Sequence, residues 1–207
     1  MERGRRSRSQ FEPVRPIALI LLLASLPALL SAATLEVQVR DRAGSPVADA
    51  VIWASIDGAP SPLARRAAVM DQKDRQFIPH VLAVQTGTAV DFPNSDDVRH
   101  HVYSFSPAKQ FQLPLYKGSP GAPVVFDKPG VVELGCNIHD RMSAFIIVVD
   151  TPHFGKTDRD GRVALPNLPQ GTYSVSLWYS SMRRTAPQQQ RVKVAERERE
   201  VLSFVTR

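Results

Sequence analysis

Apolar and polar residues alternate along most of the chain after Thr34, with the period of two that is typical of β-strands with one buried face. In TLEVQVRD, the apolar residues Leu35, Val37 and Val39 alternate with polar ones. Other strand-like runs, separated by Gly- and Pro-containing turns, are VADAVIWASI, QFIPHVLAVQ, HHVYSF, VVELGC, MSAFIIVVD, TYSVSLWYSS, QRVKV and EVLSFVT. Many short strands predict an all-β sandwich or barrel. The charged segment AEREREV between the last two runs is interpreted as a hairpin turn.

The first 33 residues have a different pattern. Five arginines precede an apolar run, PIALILLLASLPALL, which is followed by the small residues of SAA. This arrangement predicts a signal peptide over residues 1–33, cleaved after Ala33, and therefore a periplasmic or otherwise exported protein. The apolar run is shorter than the roughly 20 residues of a membrane span, so no stable span is expected after cleavage. An uncleaved anchor is the alternative.

Charge and composition exclude some functions. The formal net charge is +6, of which the leader contributes +3 through five arginines against Glu2 and Glu12, leaving +3 (6 − 3) for the rest. This balance is too weak and too interspersed with acidic residues to indicate a nucleic-acid or membrane surface. Nor does any nucleophile–base pair, second carboxylate pair or phosphate loop indicate a hydrolase or transferase. We therefore expect that the protein is not an enzyme.

The only cysteine, Cys136, lies in GCNIHDRM, between two predicted strands. An exported protein usually pairs its cysteines, so a single one indicates intermolecular pairing, a reactive thiol or a metal ligand. The motif C-x-x-H-x-x-M also contains His139 and Met142, and a second histidine lies upstream in FPNSDDVRHHV. A thiolate, two imidazoles and a weak axial thioether form a recognised copper site for electron transfer.

At these residues the chain resembles the cupredoxins, the family of small blue-copper proteins that includes plastocyanin and amicyanin. The resemblance covers residues 69–150 and includes an upstream pattern N-x-[DE]-x-x-x-H-x-V at Asn94, Asp96, His100 and Val102. The spacing of the cysteine loop is most similar to that of amicyanin. The resemblance implies a Greek-key sandwich over residues 62–152 and a copper cofactor. It also implies His100, Cys136 and His139 as equatorial ligands, with Met142 as the axial ligand.

Two departures from the cupredoxin pattern leave alternatives. The family usually has asparagine after its first histidine ligand, whereas this chain has His101. Adjacent residues of a strand point to opposite faces, so His100 and His101 cannot both reach one metal unless a bulge intervenes. The pattern favours His100, and His101 is the alternative. The connection over residues 106–123 is also longer than in the smallest family members, and it is expected to cover the site or form a docking surface.

The two flanking segments resemble the halves of another sandwich, the carboxypeptidase regulatory-like or transthyretin-like fold. Residues 34–61 resemble its first hairpin and residues 153–207 its remaining strands, through turn motifs such as D-x-x-G-x-P-V and L-P-x-G-x-Y. The copper domain is then inserted between the two halves, with a shared core that includes Leu35, Val37, Val39, Val51, Trp53, Tyr173, Val175 and Leu177. The alternative is one enlarged sandwich in which strand 34–41 completes the sheet of the copper domain.

These features predict an exported, mononuclear blue-copper protein that carries single electrons between partner proteins. A copper-handling or accessory factor that delivers or stores the metal is one alternative. The other is a β-sandwich binding module without redox function. The chain is also similar to proteins labelled methylamine-utilization protein, a label that fits either copper role.

Overall fold

The structure, a computed structural model, describes residues 33–56, 66–182, 185–196 and 199–206. The predicted signal peptide, apart from Ala33, and residues 57–65, around the predicted boundary at residue 62, lie outside the described residues. Within the described ranges, every element is a β-strand except one 3-10 turn, Ser180–Met182, which confirms the all-β prediction. These ranges also contain no helix long and apolar enough to cross a membrane.

The strands are three to eight residues long. They are β1 (Ala33–Arg40), β2 (Val51–Ser55), β3 (Ala67–Val69), β4 (Asp71–Lys73), β5 (Gln76–Ile78), β6 (Val81–Gln85), β7 (Thr88–Asp91), β8 (His100–Ser106), β9 (Lys109–Tyr116), β10 (Val124–Phe126), β11 (Gly130–Gly135), β12 (Ser143–Val149), β13 (Phe154–Lys156), β14 (Arg162–Leu168), β15 (Gly171–Trp178), β16 (Gln188–Val194) and β17 (Arg199–Val205). We call β3–β12 the central strands, and β1, β2 and β13–β17 the terminal strands.

The terminal strands form two sheets that pack face to face. One has the order β14-β1-β17 and the other the order β13-β2-β15-β16. Strand β1 is antiparallel to β14 and parallel to β17. Alternate residues of β1, namely Leu35, Val37 and Val39, are fully buried against Tyr173 and Val175 of the other sheet. The first and last parts of the described chain therefore share one apolar core.

The central strands form a five-stranded sheet, β6-β12-β11-β8-β9, opposed by the smaller sheet β10-β7-β3, with the hairpin β4-β5 beside them. A second apolar cluster lies between these sheets and includes Phe92, Phe126, Val132, Leu134 and Ile146. Cys136 and Met142 belong to the same cluster. The predicted metal-binding loop therefore lies against a closed core.

Strand β12, which has the mostly apolar sequence SAFIIVV, is buried on both faces. Ala144, Ile146 and Val148 face the central core. Phe145, Ile147 and Val149 face a third cluster, which also contains Val51, Trp178 and Met182 of the terminal part of the chain. The rings of Phe145 and Trp178 have centroids 5.1 Å apart. This third cluster joins the terminal strands to the central five-stranded sheet.

Two expectations about the strands are wrong. Val51 and Trp53 of β2 were expected in the core between the terminal sheets, but they face the third cluster. The alternate residues Ile52 and Ala54 enter that core instead. Strands β16 and β17 do not form a hairpin, because β16 pairs with β15 and β17 pairs with β1 in the other sheet. The long connection over residues 106–123 also contains an edge strand, β9, which forms a hairpin with β8, and its expected role as a cover or docking surface stays a prediction.

Strand 33–40 pairs with no central strand among the described residues, since its partners are β14 and β17. The alternative in which this strand completes the sheet of the copper domain is therefore not the observed pairing. The predicted domain boundaries near residues 62 and 152, and the finer Greek-key and transthyretin-like assignments, stay predictions.

Candidate metal centre

The candidate site is formed by two loops at one end of the central sheets. Antiparallel pairing of Gly135 with Ser143 holds together the two ends of the loop 136–142, between β11 and β12. The second loop follows β7 and leads into β8, which begins at His100. Strand β8 reaches β11 where Tyr103 pairs with Gly135, immediately before Cys136. A Cβ added to Gly135 would lie 2.6 Å from the Tyr103 ring, so the close approach requires glycine.

Three potential ligand atoms converge between these loops. The Sγ atom of Cys136 lies 4.0 Å from Nδ1 of His100 and 3.9 Å from Nδ1 of His139. One ligand atom from each of the three residues can be chosen so that all lie within 4.8 Å of one another. His100 is completely buried and Cys136 is 5% exposed. The structure therefore brings together the three residues that the sequence singled out as equatorial ligands.

The chemistry of this donor set fits a bound transition metal. Metal–sulfur and metal–imidazole bonds in zinc proteins are about 2.3 and 2.0 Å long, so one ion can contact both atoms when they are less than about 4.3 Å apart. Both sulfur–nitrogen distances satisfy this limit. Soft thiolate favours Cu(I), whereas imidazole also suits Cu(II), so the set is chemically appropriate for copper. Copper binding by these residues stays a prediction.

Met142 lies at the end of the same loop. Its backbone N–H donates to the carbonyl of His139 at 2.9 Å, which closes a turn of the loop. Its side chain is buried in the same apolar cluster as Cys136. This location is compatible with the weak axial position that the resemblance implies.

His101 does not belong to this group of ligand atoms. It follows His100 on β8 and points to the other side of the strand, where its Nε2 contacts the side-chain amide of Gln112 at 2.7 Å. Burial lowers the pKa of His101 below its ordinary value. The geometry therefore favours His100 over His101 as the histidine from this strand.

His100 is held from its other nitrogen by a carboxylate. Its Nε2 lies 2.6 Å from Oδ2 of Asp96, which leaves Nδ1 directed toward Cys136. Burial by itself raises the pKa of Asp96, but hydrogen bonds from the Arg75 amide, the His100 ring and the Asp74 amide lower it overall. An ionised Asp96 is an acceptor only, so Nε2 of His100 is the donor.

Asn94 organises the loop that leads to His100. Its side-chain amide donates to the carbonyls of Val98 and Tyr116, both at 2.9 Å, and its Oδ1 accepts the backbone N–H of Asp96 at 3.0 Å. The backbone of Asn94 is also bridged to Gly118, which follows β9. These contacts tie the loop to the edge of the five-stranded sheet and limit the freedom of His100.

A half-buried tyrosine supports the same loop. The hydroxyl of Tyr116 donates to the carbonyl of Phe92 at 2.6 Å and is contacted by the Gln72 side chain. Burial raises the pKa of Tyr116 to about 12, so this hydroxyl stays protonated at neutral pH. Tyr116 therefore acts here as a fixed hydrogen-bond donor.

His139 is the member of the cluster that reaches the surface. It is half-buried, and its neighbour Ile138 is 51% exposed. A surface pocket of about 650 Å³ lies beside it and is lined in part by Arg75, His80 and Arg141. The candidate centre thus has one side against the apolar core and one side, at His139, open to solvent.

The sequence did not reveal how His100 is held. Asp96 formed part of the upstream pattern, but no role was assigned to it. The contribution of residues 74 and 75 had no local signal, because the segment KDRQ contains no glycine to mark a tight hairpin.

No protein-family model and no curated protein matches the chain. Among solved structures, it is similar to a purple cupredoxin from Nitrosopumilus maritimus, with 22% identity, 40% of this chain and 99% of that chain covered, and a TM-score of 0.35. Amicyanin from Paracoccus versutus is 18% identical over 40% of this chain and 81% of the amicyanin chain, with a TM-score of 0.34. A copper-containing nitrite reductase from Thermus scotoductus is 24% identical over 55% of this chain and 28% of the reductase chain, with a TM-score of 0.37.

The prediction that the chain is not an enzyme is wrong as stated, because a copper enzyme is among the similar structures. Redox chemistry at a metal needs no nucleophile–base pair, carboxylate pair or phosphate loop, so the lack of these motifs does not exclude a copper enzyme. The match spans only 28% of the reductase and does not show an enzymatic activity in this chain.

Proposed function

We propose that this protein binds one copper ion at His100, Cys136, His139 and Met142 and carries single electrons. The observation that supports this most directly is the buried Sγ of Cys136, 4.0 and 3.9 Å from the Nδ1 atoms of two histidines. When bound, copper supplies a one-electron couple between Cu(I) and Cu(II), to which a mixed thiolate–imidazole donor set is suited.

The residues around the donors favour repeated electron transfer over release of the metal. His100 is completely buried and fixed by Asp96, and the loop before it is fixed by Asn94. A donor set that changes little between oxidation states has a small reorganisation cost, and a water-excluding shell helps to set the redox potential. His139, the half-buried member of the donor set, offers a route for electrons between the donors and a partner molecule.

We further propose that the protein is exported and exchanges electrons with partner proteins. The support for export is the pattern of the first 33 residues, with arginines, an apolar run and small residues in order. Support for a partner surface is the exposed Ile138 beside the half-buried His139.

The proposal is tested by loading the purified protein with Cu(II) and titrating it with a reductant. We expect one copper per chain and a reversible one-electron reduction that bleaches an intense visible band. Copper uptake without reversible reduction would instead favour a metal-handling role. Failure to take up copper would overturn the proposal.

A further inference from the structure

The carboxylate of Asp96 collects three hydrogen bonds from two different parts of the chain. Its Oδ1 accepts the backbone N–H of Asp74 at 2.6 Å. Its Oδ2 accepts the backbone N–H of Arg75 at 2.9 Å and the Nε2 donor of His100 at 2.6 Å. The Asp96 side chain is only 12% exposed and that of His100 is completely buried, so the bond between them is largely shielded from water. Asp96 thus links His100 to the tip of the hairpin β4-β5.

That tip has an uncommon backbone. Asp74 and Arg75 have φ values of 53° and 56°, in the left-handed region that residues other than glycine seldom occupy. They form the two-residue turn between Lys73 and Gln76, which are paired across the hairpin. Two successive positive φ values are typical of a tight hairpin turn. Here the turn directs two consecutive amides at one carboxylate, which stabilises an otherwise unfavourable conformation.

The hairpin is also fastened to the loop that carries Asp96. The backbone N–H of Gln72 donates to the Pro93 carbonyl at 3.0 Å, and the Ser95 N–H donates to the Gln72 carbonyl at 2.9 Å. The hydroxyl of Ser95 donates to the carboxylate of Asp71 at 2.9 Å. The turn that holds Asp96 therefore cannot move independently of the loop before His100.

We propose that Asp96, braced by the β4-β5 turn, is the positioning residue that sets the orientation and donor strength of His100. This inference rests on the proposed copper site. An acceptor at Nε2 fixes the imidazole tautomer, leaves the Nδ1 lone pair facing Cys136 and increases the electron density of the ring. A more basic imidazole favours Cu(II) over Cu(I), so Asp96 strengthens Cu(II) binding and lowers the reduction potential.

The test compares Asp96→Asn with Asp97→Asn in the full chain. The asparagine side chain in Asp96→Asn is nearly isosteric with aspartate, but it places an NH₂ group against one of the three donors and removes the negative charge. Asp97 provides a matched control, because it is the next residue, its side chain is fully exposed, and among the described residues its ion pair is with Lys117, at 3.5 Å. Asp96→Glu is the conservative variant that retains the charge.

We expect Asp96→Asn to weaken Cu(II) binding by about 10- to 100-fold, as outer partners of metal-bound histidines commonly do. The reduction potential should rise in the same variant, and Asp96→Glu should recover part of both changes. Asp97→Asn should leave both quantities unchanged. Wild-type affinity and potential in Asp96→Asn, or equal shifts in Asp96→Asn and Asp97→Asn, would overturn the proposal.

A measurement on the unaltered protein remains decisive if Asp96→Asn fails to fold. In the diamagnetic Cu(I) form, NMR should detect a slowly exchanging proton on Nε2 of His100, because that N–H is buried and bonded to a carboxylate. A rapidly exchanging proton there would overturn the role of Asp96. Failure of the wild-type protein to bind copper at all would instead refute the proposed function, so the two failures are distinguishable.

Discussion

The Sγ atom of Cys136 lies 4.0 Å from Nδ1 of His100, although the two residues are 36 positions apart in the chain. Cys136 follows directly on β11 and His100 is the first residue of β8. These strands are neighbours in the five-stranded sheet and meet where Gly135 pairs with Tyr103. Sheet pairing, rather than the local sequence, therefore brings the thiol to the histidine.

Replacing the two adjacent histidines should have different consequences. His100→Ala removes a donor atom from the cluster and is expected to abolish copper binding with a visible band. His101→Ala removes a side chain that contacts Gln112 and should alter the band only slightly. Absorption spectra of the two Cu(II)-loaded variants decide between them. A reversed outcome would make His101 the ligand.

Met142→Leu should retain the colour but raise the reduction potential, because it removes a weak axial donor that favours Cu(II). The two side chains have similar volumes, so the fold should persist. Met70→Leu is a matched control, since Met70 is buried in the same apolar cluster but lies outside the candidate ligands. Cyclic voltammetry measures both potentials. Equal potentials in the two variants would show that Met142 does not bind the metal.

The contact between Phe145 and Trp178 should make a large contribution to stability. Phe145 is completely buried in the cluster that joins the terminal strands to β12. Phe145→Ala is therefore expected to lower the free energy of unfolding by about 3–5 kcal/mol. Phe105→Ala, at a phenylalanine that is 77% exposed, should cost less than about 0.5 kcal/mol. Denaturant unfolding of the copper-free protein tests this, and similar losses in both variants would contradict it.

His153 should contribute to acid sensitivity. Burial lowers the pKa of His153 below its ordinary value of 6.5. The unfolded chain therefore binds a proton there at a higher pH than the folded chain does. Stability should be lost as the pH falls through about 6.5 toward the lower, folded-state pKa, and the loss is complete below that value.

This pH effect can be isolated by substitution. His153→Gln should flatten the decrease in thermal stability of the copper-free protein between about pH 7 and pH 5. His80→Gln, at an exposed histidine, serves as the comparison. An unchanged pH profile in His153→Gln would contradict the predicted contribution.

Much of the fold could be predicted from the chain because alternation reports directly on one-sided burial. The pattern located β1, β8 and β12. Alternation does not specify the partner of a strand. The parallel pairing of β17 with β1 was therefore missed, and β16 and β17 were taken for a hairpin.

The candidate site was predictable where its parts are local. Cys136, His139 and Met142 lie in one loop at fixed spacing, and His100 followed from the resemblance in the upstream pattern. The support of His100 by Asp96 depends on a backbone turn at Asp74 and Arg75 in a separate hairpin. Almost every residue has a backbone N–H group, so the sequence does not indicate which of these groups bind a carboxylate. This support is therefore visible only in the three-dimensional structure.

The most direct test of the copper site is the absorption spectrum of Cys136→Ser beside that of the wild-type protein, both loaded with one equivalent of Cu(II). The intense visible band belongs to charge transfer from the thiolate, so the wild-type protein should show it and Cys136→Ser should not. Equal thermal stability of the copper-free forms would exclude loss of the fold as the cause. A band retained in Cys136→Ser, or absent from the wild-type protein, would contradict the assignment of Cys136 as a copper ligand.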